Sequence, residues 1–156
     1  MKSANKGLIP GLAIAIAVVY FLFPVIVQAG TFFNVGWTGV AIKGYDPVAY
    51  FTEKNPVKGD SEFDYEWSGA KWRFASEKHL ELFKTDPEKY APRYGGYCAY
   101  GVANNYLVKI EPEAWTVYEG RLYLNYSLKV REQWKEDIPG NIRKADTNWP
   151  NLKEEK

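Results

Sequence analysis

Twenty consecutive uncharged residues, LIPGLAIAIAVVYFLFPVIV, occupy positions 8–27. At 1.5 Å rise per residue, a helix of this length spans roughly 30 Å, the thickness of the hydrocarbon core of a bilayer. Lys2 and Lys6 precede the run, and the first thirty residues contain no acidic side chain. We therefore predict that residues 1–30 form a single N-terminal membrane anchor whose basic end stays on the cytoplasmic side.

A cleaved signal peptide is the alternative interpretation of the same segment. It has the basic start, the apolar stretch and, at 27–29, a Val-Gln-Ala sequence that suits a small-residue cleavage site. The apolar run exceeds the roughly 7 to 15 residues typical of a signal core, which favours the anchor. In both cases residues 31–156 form an exported domain, on the periplasmic face of the inner membrane if the protein is bacterial.

The exported part repeats one pattern, first over residues 66–86 and again over residues 117–137. Each copy predicts two short strands around a glycine-containing turn, followed by a helix. Gly69 recurs as Gly120 and Ser76 as Ser127, each 51 positions later. The two serines are the expected N-caps of the helices, because a hydroxyl at that position accepts a hydrogen bond from a first-turn N–H.

The helix of the second copy carries an apolar stripe at Val130, Trp134 and Ile138. The position of Val130 corresponds to His79 in the first copy, so we expect this imidazole to face inward. Strand and helix signals together predict an α+β domain.

The composition of the chain excludes several kinds of partner and binding site. The chain has 156 residues with 20 basic and 19 acidic side chains, and the two basic residues of the anchor leave the exported part near neutral. A neutral domain argues against a nucleic-acid partner, which would require a basic surface. Cys98 and His79 are the only cysteine and histidine, which excludes an intrachain disulfide and a Cys/His zinc site. The sequence indicates no cofactor.

Several motifs together resemble the longer, exported form of the YHS domain family. They are GYDPVAYF at 44–51, WRFAS at 72–76, YGGYCA at 94–99 and GRLYLN at 120–125. The resemblance covers residues 35–152. It implies a small α+β domain of short antiparallel strands with flanking helices, and it implies no settled activity.

Short YHS domains and the related TRASH-type domains carry three metal-associated cysteines. The resemblance places these positions at Ala49, Ala75 and His79, of which the two alanines offer no ligand atom. His79 and Cys98 remain as weak metal candidates, and no metal is favoured, because soft metals require thiolate or thioether ligands. Cys98 with His79 and Asp46 is a further candidate set, as nucleophile, base and orienting group, without a supporting local signature.

Three aromatic residues, Phe32, Phe33 and Trp37, follow the apolar run closely. Aromatic side chains at that depth are typical of the membrane–water interface, and they equally suit the contact surface of a partner complex. Both interpretations stay open.

Three functional hypotheses follow. The favoured one is a non-catalytic accessory subunit or assembly factor of a larger integral membrane complex, photosynthetic or respiratory, that is anchored in the lipid bilayer through residues 8–27. The alternative is a periplasmic module that binds a metal or a small ligand. The third is an enzyme that depends on Cys98.

Overall fold

The structure, a computed structural model, describes residues 32–154. The predicted anchor and the alternative signal peptide lie outside the described residues. Within 32–154, none of the helices combines the length and the apolar character that a membrane crossing requires.

Within residues 32–154, four strands form two separate antiparallel hairpins, and helices flank them. The α+β class and the short antiparallel strands expected from the sequence are confirmed. In chain order the elements are α1 (Ala49–Thr52), β1 (Asp60–Trp67), β2 (Ala70–Phe74), α2 (Glu77–Thr85), α3 (Pro87–Tyr90), α4 (Ala99–Ala103), β3 (Glu111–Tyr118), β4 (Arg121–Asn125), α5 (Leu128–Lys135) and α6 (Ile138–Glu154).

The two hairpins have the same register. In the first hairpin Tyr65 lies opposite Trp72, and in the second Thr116 lies opposite Tyr123, each 51 positions later. Each hairpin has one register irregularity, at corresponding positions of its first strand. Both turns place two successive residues at positive φ, with a glycine second, as two-residue hairpin turns require.

The helix that follows each hairpin is capped as the sequence predicts. Ser76 Oγ accepts a hydrogen bond from the backbone N–H of His79 at 3.3 Å, and Ser127 Oγ accepts one from Val130 at 3.3 Å. Both serines have extended backbone angles, which is the usual geometry of an N-cap. Residues 46–85, from Asp46 to the end of α2, are called the first unit below, and residues 98–135, from Cys98 to the end of α5, the second unit.

Each unit builds its core around one fully buried aromatic ring. Phe83 of α2 packs against the rings of Trp67, Trp72 and Phe74, with centroid distances between 5.0 and 5.7 Å. In the second unit, Trp134 of α5 packs against Tyr123 at 5.1 Å. The aromatic-rich composition is thus used mainly for packing, because large rings bury the most apolar area per residue.

Residues 32–34, called the entry segment below, are pinned to the turn at Arg93–Gly96. The backbone N–H of Asn34 donates to Gly95 O at 2.6 Å, and its side-chain amide donates to Gly96 O at 3.1 Å. The ring of Phe33 meets that of Trp72 edge-on, with centroids 4.9 Å apart. The chain therefore enters the domain in a fixed position.

Candidate functional site

The carboxylate of Asp46 is the most densely bonded polar group in the first unit. Oδ1 accepts hydrogen bonds from the backbone N–H groups of Val48 at 2.8 Å and Ala49 at 3.3 Å. Oδ2 accepts one from the N–H of Ala75 at 2.8 Å and lies 2.6 Å from Nδ1 of His79. Because the other three partners are N–H donors to an acceptor carboxylate, Nδ1 carries the hydrogen of the fourth bond.

Three elements bring these partners together. Asp46 precedes α1 and caps its first N–H groups, which are otherwise unpaired. Ala75 follows directly after β2, and His79 lies in the first turn of α2, where the Ser76 cap fixes the start of the helix. Asp46 is completely buried and His79 is 7% exposed. The inward orientation predicted for His79 is confirmed.

The far side of the imidazole faces the end of α1. Nε2 of His79 lies 3.2 Å from Oγ1 of Thr52 and 3.7 Å from a carboxylate oxygen of Glu53. Carboxylate, imidazole and hydroxyl stand in the order of a nucleophile relay. However, Val48 O lies equally close to the Thr52 hydroxyl, at 3.2 Å, and competes for its single hydrogen, and Thr52 does not line the cavity beside Phe32 that is described below. The arrangement therefore connects α1 to α2.

The three positions that the family resemblance marks as metal-associated all meet at the Asp46 carboxylate. Ala49 and Ala75 contribute backbone N–H groups and His79 contributes its ring nitrogen. These groups are donors, and both carboxylate oxygens are already occupied. Among residues 32–154, no cluster of three or more His, Cys, Asp or Glu side chains is placed to hold a metal ion. The residues present do not fit the family's metal.

Cys98 occupies in the second unit the place that Asp46 occupies in the first. Its Sγ accepts a hydrogen bond from the backbone of Gly101 at 3.4 Å, and it also interacts with the backbone of Tyr100 and of Tyr126, directly after β4. Asp46 likewise accepts from the residues two and three positions after it and from the residue after its hairpin. A thiol thus caps α4 where a carboxylate caps α1.

The candidate set of Cys98, His79 and Asp46 is not assembled as one relay. Asp46 and His79 meet, as described. The thiol of Cys98 instead donates to Oδ1 of Asn125 at 3.6 Å, and both of these residues belong to the second unit. Cys98 is 1% exposed, and burial raises the pKa of its thiol. A buried thiol with a raised pKa is a poor nucleophile, because the thiolate is the reactive form.

We expect a maleimide probe to label Cys98 of the intact, detergent-solubilised chain only after unfolding in urea. Both its burial and its raised pKa limit the thiolate that a probe can reach. The matched control is Ser61→Cys, an exposed position of β1, which should react within minutes in the native protein. Equally fast labelling of Cys98 and of the control would restore the enzyme hypothesis.

The three aromatic residues near the predicted anchor have different surroundings. Phe33 packs against Trp67 and Trp72, so its ring belongs to the core of the first unit. Phe32 is partly buried, with the ammonium of Lys153 4.3 Å above its ring. Trp37 is 99% exposed, at the tip of a turn that the N–H of Gly39 closes.

A cavity of about 400 Å³ lies beside the entry segment, and the sequence did not reveal it. Its walls combine aromatic rings, including Trp67 and Trp149, with the cationic side chains of Arg93, Arg121 and Lys153. These residues come from widely separated parts of the chain and form no sequence motif. The one sequence feature that pointed to this region was Phe32, which the sequence analysis singled out and which lines the cavity.

Comparison with known proteins supports the resemblance seen in the sequence. Residues 48–94 match the family model of the YHS domain. No curated protein and no solved structure matches the chain. The matched segment begins just after Asp46, contains all three metal-associated positions and covers nearly the whole first unit. The resemblance of this chain to the YHS domain family is therefore confirmed over residues 48–94.

Proposed function

We propose that the protein is a non-catalytic accessory subunit or assembly factor of a larger integral membrane complex. Residues 8–27 anchor it in the bacterial inner membrane as a single span, with the N-terminus in the cytoplasm and the domain of residues 32–154 on the periplasmic face. The observation that carries this proposal is the fully exposed indole of Trp37, presented on a fixed turn close to the apolar run.

The turn of Trp37 is held on both sides. The N–H of Gly36 donates to Val40 O at 3.1 Å, the N–H of Gly39 donates to Gly36 O at 2.9 Å, and Val35 bridges Ala41. Burying an indole in a contact removes roughly 150–250 Å² of surface from water, which favours binding by on the order of 4 kcal/mol. A rigid turn tip with an exposed Trp is therefore suited to insertion into a partner surface.

The tether between the apolar run and the domain is short. Four residues separate Val27 from Phe32, and Phe32 already contacts Lys153 of α6. An extended chain covers at most ~3.6 Å per residue, so the anchor holds the domain within roughly 18 Å of the end of its span. A domain held this close to the bilayer meets integral membrane proteins more readily than soluble ones.

The polar chemistry of the domain supports a structural role. The Asp46 carboxylate is saturated with hydrogen bonds, and the Cys98 thiol is buried. Each of these groups connects elements within its own unit. The groups that face solvent, with Trp37 foremost, are the ones free to contact a partner.

Purification of the tagged full chain from source membranes in mild detergent tests the proposal. We expect co-purification of integral membrane proteins at fixed stoichiometry, and a loss of at least tenfold in their recovery with Trp37→Ser. The matched control is Tyr106→Ser, which removes a half-exposed aromatic side chain from a different loop and should not change recovery. Recovery of the unmodified chain only as a free monomer would overturn the proposal.

A further inference from the structure

The cavity beside the entry segment carries an excess of positive charge. Of the described side chains that line it, three are cationic, those of Arg93, Arg121 and Lys153, and one is a carboxylate, that of Glu88. Arg93 is paired with Asp146 at 3.1 Å. Nη1 of Arg121 donates to the backbone carbonyl of Glu88 at 3.0 Å, and this guanidinium has no carboxylate of residues 32–154 within ion-pair distance.

Lys153 is the second cation without a carboxylate partner. Its ammonium lies over the ring of Phe32, and within residues 32–154 neither Lys153 nor Arg121 forms an ion pair. An ammonium and a guanidinium on the wall of one cavity favour a phosphate, since the guanidinium fork matches the oxygens of a phosphate diester.

The rest of the cavity wall is apolar and aromatic. The rings of Phe32, Trp67, Tyr94 and Trp149 border the same space as the cations. Such a wall suits an anion that carries a hydrocarbon body better than a fully hydrated free ion. A volume of about 400 Å³ lies in the range of small-ligand pockets, roughly 300–1,000 Å³, and accommodates a lipid headgroup with its glycerol.

The position of the cavity along the chain agrees with this chemistry. Phe32 lies on its wall, and only four residues separate Phe32 from the apolar run. On the proposed anchoring, on which this inference rests, the cavity lies at headgroup height. We propose that this cavity binds the headgroup of an anionic phospholipid, with Arg121 and Lys153 contacting the phosphate and the aromatic rings contacting the glycerol and the first acyl carbons.

Native mass spectrometry of the detergent-solubilised full chain tests the inference, with phosphatidylglycerol as the probe and phosphatidylcholine as the zwitterionic comparison. We expect one tightly bound phosphatidylglycerol and at least tenfold weaker binding of phosphatidylcholine. The double variant Arg121→Gln/Lys153→Gln should weaken phosphatidylglycerol binding at least tenfold. The matched control Arg143→Gln/Lys144→Gln makes the same charge change at exposed positions of α6 and should leave binding unchanged.

Three outcomes would overturn the inference. They are equal binding of both lipids, an unaffected double variant, and displacement of the lipid by millimolar inorganic phosphate, which would assign the cavity to a free anion. If the double variant fails to fold, Lys153→Glu alone, in the last turn of α6, serves as the test and should still weaken binding.

Carbonate extraction of the source membranes distinguishes failure of the proposed headgroup site from failure of the proposed membrane anchor. A chain that stays in the membrane without lipid preference contradicts only the headgroup site, and a chain released by carbonate contradicts the anchor.

Discussion

The variant Asp46→Asn is expected to lower the free energy of unfolding by about 3–5 kcal/mol. The amide would place an NH2 group against N–H donors at one of the two carboxylate oxygens, each of which now accepts two hydrogen bonds. Buried donors without an acceptor are costly, since they have lost water and gained nothing. Urea unfolding of the full chain in detergent, followed by tryptophan fluorescence, measures the difference.

Asp60→Asn is the matched control for this prediction. Asp60 is exposed at the start of β1 and accepts only a local hydrogen bond from Glu62. Its replacement should cost less than about 1 kcal/mol. A double-mutant cycle with His79→Gln should give a coupling energy of about 1–3 kcal/mol between Asp46 and His79. Equal stability of Asp46→Asn and Asp60→Asn would show that the carboxylate does not connect α1, β2 and α2.

The second large effect is expected at Gly95, where a methyl group would displace the entry segment. A Cβ at this position would lie 2.2 Å from the carbonyl oxygen of Phe32, at a residue with φ +59°. Gly95→Ala should therefore break the hydrogen bonds of Asn34 to the turn and lower the free energy of unfolding by roughly 3 kcal/mol. The same urea experiment measures it.

Gly120 provides the control for the backbone contribution alone. It also has a positive φ, +71°, but nothing lies within 4 Å of its Cβ position. Gly120→Ala should cost about 1 kcal/mol, the usual penalty for a side chain in the left-handed region. If Gly95→Ala and Gly120→Ala cost the same, the entry segment is not pinned as described.

Local patterns in the sequence predicted the elements of local structure. Ser76 and Ser127 could be assigned as N-caps because a cap depends on residues within one helical turn. His79 could be placed on an inward face because it corresponds to Val130, which lies on the apolar stripe of the second copy. The glycines of the two hairpin turns were equally readable, because a positive φ limits the residue choice.

Most contacts between distant segments could not be predicted from the sequence. Asp46 and His79 were grouped only within a candidate set that also contained Cys98, because they lie 33 positions apart and nothing in either residue's neighbourhood indicates the other. The correspondence of Cys98 with Asp46 could not be predicted either, because it depends on hydrogen bonds to backbone groups rather than on side-chain type. The arginine and lysine of the cavity come from β4 and from the end of α6, and only the fold brings them together.

The aromatic residues after the apolar run show a further limit of prediction from the sequence. Phe33 and Trp37 have the same kind of side chain and lie four positions apart, yet one packs on Trp72 and the other is fully exposed. Residue type and depth along the chain predict the same role for both, either at the membrane–water interface or on the contact surface of a partner complex. The hydrogen bonds of the entry segment and of the turn decide which ring points outward.

Photo-crosslinking in intact source membranes tests the central claim most directly. A benzoylphenylalanine introduced at position 37 of the full chain should form one discrete adduct with an integral membrane protein, whereas the same probe at position 106 should form none. Both positions carry exposed aromatic residues in the native chain, so the comparison isolates location. The absence of any protein adduct at position 37, with the chain recovered as a monomer, would contradict the account.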